Sequence, residues 1–405
     1  MPSQVSSTRN SPVILTADNS FASTMVLPVY GTDAHETTQD QAAANLAIYG
    51  VETVAEVISK FRPAGLLLVE RIPFHVGFEE VQLGMLDTSE RLRSFVEGAQ
   101  EVARVEQMDP LLIVADQEGG AGSRLPSVAL PAPALIGAVE DSELATSMAE
   151  QAGRLTSEAA RAHGVGVVLG PLADLGLGNA AIGDRAFSSD PNEVARLAAA
   201  WVSGVQSSGV QSSGVQGSGV EGNSVVGVVK HWPGHGRAGS DSHVSTPVLN
   251  VAAELWAREE LTPFAATIDA EVAGVLLAHL RAPSLDSSGA LASQSPVLMK
   301  KLRDELSFEG FTMTDALWMP SARTSAATDA EVAVASLHAG IDLLLAPPDP
   351  EGSAELAEAD PELMQRVASS VTRIARLRSQ HPPVDRTIDL DGLNAEIHHF
   401  NANLG

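Results

Sequence analysis

The chain has 405 residues, with 25 Lys and Arg against 51 Asp and Glu for a formal charge of −26, and 44% of its residues are hydrophobic. Such a composition fills a core, while the acidic balance repels phosphate backbones and anionic lipid surfaces, so neither nucleic acid nor a membrane is expected as a partner. No cysteine occurs, which removes disulfides, thiolate nucleophiles and Cys-ligated zinc together.

Residues 1–25 carry no apolar stretch behind a basic start and read as an N-terminal extension, so the chain as given is expected in the cytoplasm. Eight short apolar runs follow: 26–30 (VLPVY), 66–70 (LLLVE), 111–116 (LLIVAD), 165–170 (VGVVLG), 225–231 (VVGVVKH), 274–279 (GVLLAH), 311–315 (FTMTD) and 343–346 (LLLA). Amphipathic segments such as SERLRSFVEGAQEVARVE and PNEVARLAAAWVSG separate them, the pattern of parallel strands joined by helices. Eight such units predict an α/β fold, a single (β/α)8 TIM barrel over residues 26–382, irregular in its first strands. Residues 203–224 repeat a five-residue unit of Ser, Gly, Val and Gln and read as a low-complexity loop insertion before the fifth strand. The acidic run 348–362 reads as a solvated loop leading into a helix, and 383–405 as a polar tail packed on the barrel.

Polar residues stand at the downstream ends of these runs: Asp116, Lys230 with His231, His279 and Asp315. In such barrels the active site lies at that level, where the βα loops meet. The densest segment is 230–243, KHWPGHGRAGSDSH. It contains a literal G-x-G-x-x-G at 234–239, but the loop-like SDSHVSTPVLN follows where a dinucleotide site needs a helix N-terminus. His231, His235, His243, Asp241, His279 and Asp315 could in principle meet on a cation. No HExxH motif and no His-x-His at the first strand support that, so neither a metal nor a cofactor is expected. Ser242 lacks a G-x-S-x-G elbow and does not read as a serine nucleophile.

Three more segments complete the pattern: DQEGGAGSR at 116–124, IGDRAFSSDP at 182–191 and FTMTDALWM at 311–319. With KHWPGHG and DSH, they make the chain resemble glycoside hydrolase family 3, specifically its short, single-domain β-N-acetylglucosaminidases. The resemblance implies Asp315 as nucleophile, and His243 as general acid/base in a dyad with Asp241. It places Asp116, Arg124, Arg185, Lys230 and His231 on the hydroxyls of the sugar. The implied activity is exo-acting and retaining, releasing N-acetylglucosamine from cell-wall, peptidoglycan-derived fragments. The chemistry is coherent: one carboxylate attacks the anomeric carbon, while an imidazole protonates the leaving oxygen and then deprotonates water. Alternatives are a phosphorylase using phosphate as acceptor, another β-glycosidase of the family, a metal-dependent barrel hydrolase and an inactive sugar-binding module.

Plainer readings stand beside these assignments. Asp116 and Arg185 could form a buried ion pair, Lys230 could satisfy strand-end carbonyls, His235 could brace its loop, and His279 could be a pocket wall. Trp232 and Trp318 could stack on a sugar or fill the core. The chain also departs from the family pattern: Ala121 and Gly122 replace the usual Arg-Val after DQEGG, and Ala316 follows Asp315.

Overall fold

The computed structural model describes residues 21–70, 81, 85–127, 129–207, 225–239, 246–323, 327–380 and 388–404. All eight apolar runs form strands: β1 Met25–Pro28, β2 Gly65–Leu68, β3 Leu112–Asp116, β4 Val167–Leu172, β5 Val226–Trp232, β6 Gly274–Leu277, β7 Phe311–Thr314 and β8 Leu344–Leu345. They follow one another in chain order and in parallel, with β8 beside β1. At the remaining seam β7 meets the β8 segment through a bridge between Met313 and Leu343, and the Thr314 N–H donates to Leu343 O at 3.1 Å. The sheet thereby comes round into the expected barrel.

Alternation explains why the strands are apolar on both faces. Leu67, Val114, Leu169, Val228, Leu276, Met313 and Leu345 share one buried cluster inside the barrel. Their neighbours Leu66, Ile113 and Val168 turn outward into the cluster beneath the helices. Helix Ser89–Val105 supplies part of that cover, burying Leu92, Phe95, Val96, Ala99, Val102 and Ala103 on one face, with the Thr88 hydroxyl capping its start. No helix among the described residues is long and apolar enough to cross a membrane.

Three details differ from expectation. The first strands pair without a shift, and the irregularities lie at Leu169/Gly170 in β4 and between Val229 and Trp232 in β5. Pro171 offers β4 no N–H for its ladder, and β5 is where the polar Lys230 and His231 interrupt the apolar run. The supposed loop at 203–224 starts late, because residues 203–207 finish helix Pro191–Ser207. Gly204 and Gly153 let this helix and helix Ser142–Ala162 touch backbone to backbone, where any Cβ would collide with the opposite main chain. Small residues that resemble a linker are thus packing residues, and the remainder of the repeat, 208–224, lies outside the described residues. The acidic run is mostly helix, Pro350–Glu358, capped by the Asp349 carboxylate accepting from Gly352 N–H at 2.9 Å.

Of the N-terminal extension, residues 1–20 lie outside the described residues, and Phe21–Thr24 form a buried 3-10 turn. Near the other end, helix Leu390–Ala402 buries Leu393, Ile397 and Phe400. It pairs Glu396 with Arg154, and Asn401 donates to Ala129 O at 3.0 Å.

Helix Pro191–Ser207 ends, and β5 begins, at the barrel end opposite the residue that follows β7. Deleting residues 209–218, two repeat units, is expected to change stability by less than about 1 kcal/mol, since loop-closure entropy varies only logarithmically with length. Catalysis at the other end should be unaffected. Thermal melts and kcat/KM check this, and a large loss of kcat/KM would place the repeat over the active face instead.

Candidate active site

The ends of β3 and β5 bring together a compact charged group. Asp116 is the last residue of β3, and Glu118 lies two residues on, in a turn opened by Gly119 at φ 101°. A side chain at 119 would run into Pro131 O, so this turn needs glycine on two counts. Lys230, 3% exposed in β5, donates to Asp116 Oδ1 at 2.6 Å and is also paired with Glu118. Arg185, from the 3-10 turn Gly183–Arg185, grips Glu118 with two bonds of 2.7 and 2.8 Å. The ion pair envisaged between Asp116 and Arg185 is therefore replaced: Arg185 bonds to Glu118, and Lys230 bridges the two carboxylates rather than capping strand-end carbonyls. Burial on its own would raise the Glu118 pKa, but Lys230 and Arg185 outweigh it and bring it down to about 2. Lys230 is held charged for the reciprocal reason: burial opposes its charge, and Asp116 and Glu118 overcome the penalty.

Asp315 follows β7 on the same level. Its N–H donates to Leu277 O at 2.9 Å, and its carboxylate accepts from Ala316 N–H at 2.8 Å. Burial works against its charge, yet His231, with the Ala316 N–H and Lys230, shifts the balance, so its pKa lies below the usual Asp value. The carboxylate is thus held as an anion.

The three imidazoles around it have distinct duties. His231 Nδ1–H donates to Asp174 Oδ2 at 2.6 Å. His279 is fully buried, accepts from the Ser293 hydroxyl at 2.8 Å and donates from Nε2 to Ala316 O at 3.2 Å, a neutral brace behind Asp315 whose pKa burial depresses. His235 sits edge-on to His231, ring centroids 5.9 Å apart, and its Nδ1 accepts from Asn179 Nδ2 at 3.1 Å. That Asn179 nitrogen also reaches the carbonyls of His235 and Ala238, which identifies it as the amide donor. Trp232 is a core residue, fully buried and edge-on to Trp256 and Phe264.

These groups line a cavity of about 220 Å³ walled by Asp116, Glu118, Arg124, Arg185, Lys230, His231, His235 and Asp315. A chamber of about 320 Å³ shares Asp116, Arg124, Lys230 and Asp315 with it and adds Glu70, Leu67, Leu169, Leu276, Leu345, Met319 and Trp318 to its lining. Arg124 reaches the cavity with its guanidinium bonded to the carbonyls of Ala121 and Ser123. Gly122 packs against the Glu118 carboxylate so closely that a Cβ would collide with it, which ties the loop's departure from the family pattern to the Glu118 position. Asp241, Ser242 and His243 lie outside the described residues. Arg237, just before them, is clamped by Glu259 and Glu260.

Sequence reasoning overlooked Glu118, Asp174 and Asn179 as site residues. Glu118 stood inside a quoted motif, and Asp174 sits two residues past β4, the level at which the other strand-end polar residues cluster. Among the described residues, no group of three or more His, Asp or Glu side chains is placed to hold a metal ion.

Residues 46–377 match the Glycosyl hydrolase family 3 N terminal domain. A beta-hexosaminidase of Nitrosomonas eutropha is 35% identical over 252 residues, 61% of this chain and 68% of that protein. One from Thiobacillus denitrificans is 32% identical over 326 residues, 77% of this chain and 85% of the relative. Among solved structures, a family 3 beta-N-acetylglucosaminidase from Paenibacillus sp. superposes with a TM-score of 0.74 at 25% identity, covering 96% of this chain and 69% of that one.

Proposed function

The chain belongs to glycosyl hydrolase family 3, and from that premise we propose that it is an exo-acting, retaining β-N-acetylglucosaminidase. The observation that carries the reading is Asp315, an ionised carboxylate on the wall of a cavity whose other walls are Lys230, Arg185, Asp116 and His231. In this reading Asp315 attacks the anomeric carbon and forms a covalent glycosyl-enzyme, while those polar groups and Arg124 bind the sugar's hydroxyls. The beta-hexosaminidase relatives and the solved beta-N-acetylglucosaminidase support an N-acetylated sugar as the substrate. His243, oriented by Asp241, protonates the departing oxygen and then deprotonates water. Peptidoglycan-derived fragments in the cytoplasm are the proposed natural substrates.

Aryl β-glycosides of several sugars test the reading, which requires the N-acetylglucosaminide to be cleaved best. Running the assay with millimolar phosphate tests the acceptor as well. Arg124, bonded to main-chain carbonyls at the cavity, offers a positive charge to a competing anion. Product with the β-1-phosphate configuration would make the enzyme a phosphorylase, whereas free sugar at every phosphate concentration keeps it a hydrolase.

His243→Ala is expected to slow substrates with poor leaving groups about 10²-fold or more and activated aryl glycosides far less, because protonation matters only when the departing oxygen is basic. Equal losses across a leaving-group series would remove His243 from the acid/base role.

A further inference from the structure

The segment after β4 is a template for the loop that carries His231. Ala173 N–H donates to Lys230 O at 2.7 Å, and a Cβ at Gly236 would run into the main chain of Leu175, so residues 173–175 and 230–236 lie in direct contact. Asp174, fully buried at the centre of that contact, is used up by three donors. One oxygen takes the His231 N–H at 3.1 Å and the His231 Nδ1–H at 2.6 Å, and the other takes the His235 N–H at 2.6 Å. A carboxylate with three N–H donors remains ionised, and Asp174 is indeed pushed below the usual Asp range against its burial, chiefly by His231. The ring of His231 then has one arrangement: Nδ1 carries a proton bound to Asp174, and Nε2 is the nitrogen left for the cavity it shares with Asp315.

We infer that Asp174 is a positioning residue for the nucleophile, acting through His231, whose tautomer and place it fixes beside Asp315. The inference rests on the reading of Asp315 as the attacking carboxylate. Of the groups around Asp315, Lys230 shares β5 with His231, His235 stands edge-on to His231, His279 lies beyond β6, and Asp116, Glu118 and Arg124 come from β3 and its loop, with Arg185 and Glu70 at the cavity margins. Lys230 is held by Asp116 and Glu118, and His279 is a neutral donor to Ala316 O. A change at Asp174 therefore alters directly the main-chain N–H bonds of His231 and His235, but of the two rings it holds only that of His231. Removing the Asp174 charge frees the His231 ring to rotate or change tautomer and weakens its support of the Asp315 anion.

Long-range ¹H–¹⁵N spectra of the intact protein, with the His231 signals assigned by their loss in His231→Gln, test the first half. The expected result is a protonated Nδ1 across the range of activity, and a neutral ring protonated only at Nε2 would overturn the inference. For the second half, Asp174→Asn is expected to lower kcat/KM about 10- to 100-fold and to move the acid limb of the pH profile upward by about half a unit or more. A folded variant with the loss uniform in pH and the limb unmoved would reduce Asp174 to a structural brace and sink the inference. If Asp174→Asn does not fold, His231→Gln reads the second half: it removes the ring that Asp174 holds and is expected to move the acid limb upward in the same way, and an unmoved limb would sink the inference. A label trapped on another carboxylate would defeat the assignment of Asp315 while leaving the His231 spectrum interpretable, so the two failures are distinguishable.

Discussion

Asp315→Asn is expected to leave a folded barrel whose turnover falls by on the order of 10⁴-fold, about 5 kcal/mol of lost transition-state stabilisation. The substitution keeps the side chain's volume, and Asn can still accept the Ala316 N–H, while the main-chain bond from residue 315 to Leu277 O does not involve the side chain. What disappears is the anion, and with it the covalent step. Circular dichroism and thermal melts should match the unaltered protein, and kcat should collapse for good and poor leaving groups alike. Trapping with a 2-fluoro or 5-fluoro glycosyl donor should label Asp315. A label on Asp116 or Asp241, or a variant with near-normal turnover, would overturn the assignment.

Much of the barrel was legible because its strands are buried on both faces, which turns each into a continuous apolar run that needs no partner to be recognised. The site was legible where a strand ends in a polar residue, as at Asp116, Lys230 and Asp315. The misreadings were of kinds that local pattern does not resolve. The Gly and Ser at 203–207 look like linker, yet Gly204 is small because helix Ser142–Ala162 presses on it. The acidic run at 348–362 was judged by its charge, when its Asp-Pro start is a helix cap. The pairing of Arg185 with Glu118 spans 67 residues, and Asp174 reaches His231 across 57, so no spacing rule reveals either. Trp232 had two readings because an aromatic ring serves a sugar face and a core equally well, and only its contacts with Trp256 and Phe264 decide. The dyad of Asp241 and His243 rests on the motif.

Glu118 is the residue at which stability and binding are expected to fail together. It is 5% exposed and is the shared carboxylate of two cations, Lys230 and Arg185. Glu118→Ala leaves Lys230 with Asp116 alone and takes away both side-chain bonds between Arg185 and Glu118, and removing one partner from a buried ionic group costs about 3–5 kcal/mol. Because Lys230 and Arg185 wall the cavity, their displacement should also lower kcat/KM by about 10²-fold or more. Glu118→Gln keeps the shape and isolates the charge. The Glu118 pKa falls from the usual 4.5 to about 2 on folding, so the charged form is favoured in the native state by about 3 kcal/mol. The sign follows from the depressed value: this stability is fully present above about pH 4.5 and is lost as the pH falls towards 2. Urea unfolding at a series of pH values should therefore show the gap between the unaltered protein and Glu118→Gln at full size near neutrality and shrinking steadily below pH 4.5. A gap that stays constant down to pH 2 would mean that Glu118 is not the anion holding Lys230 and Arg185 in place.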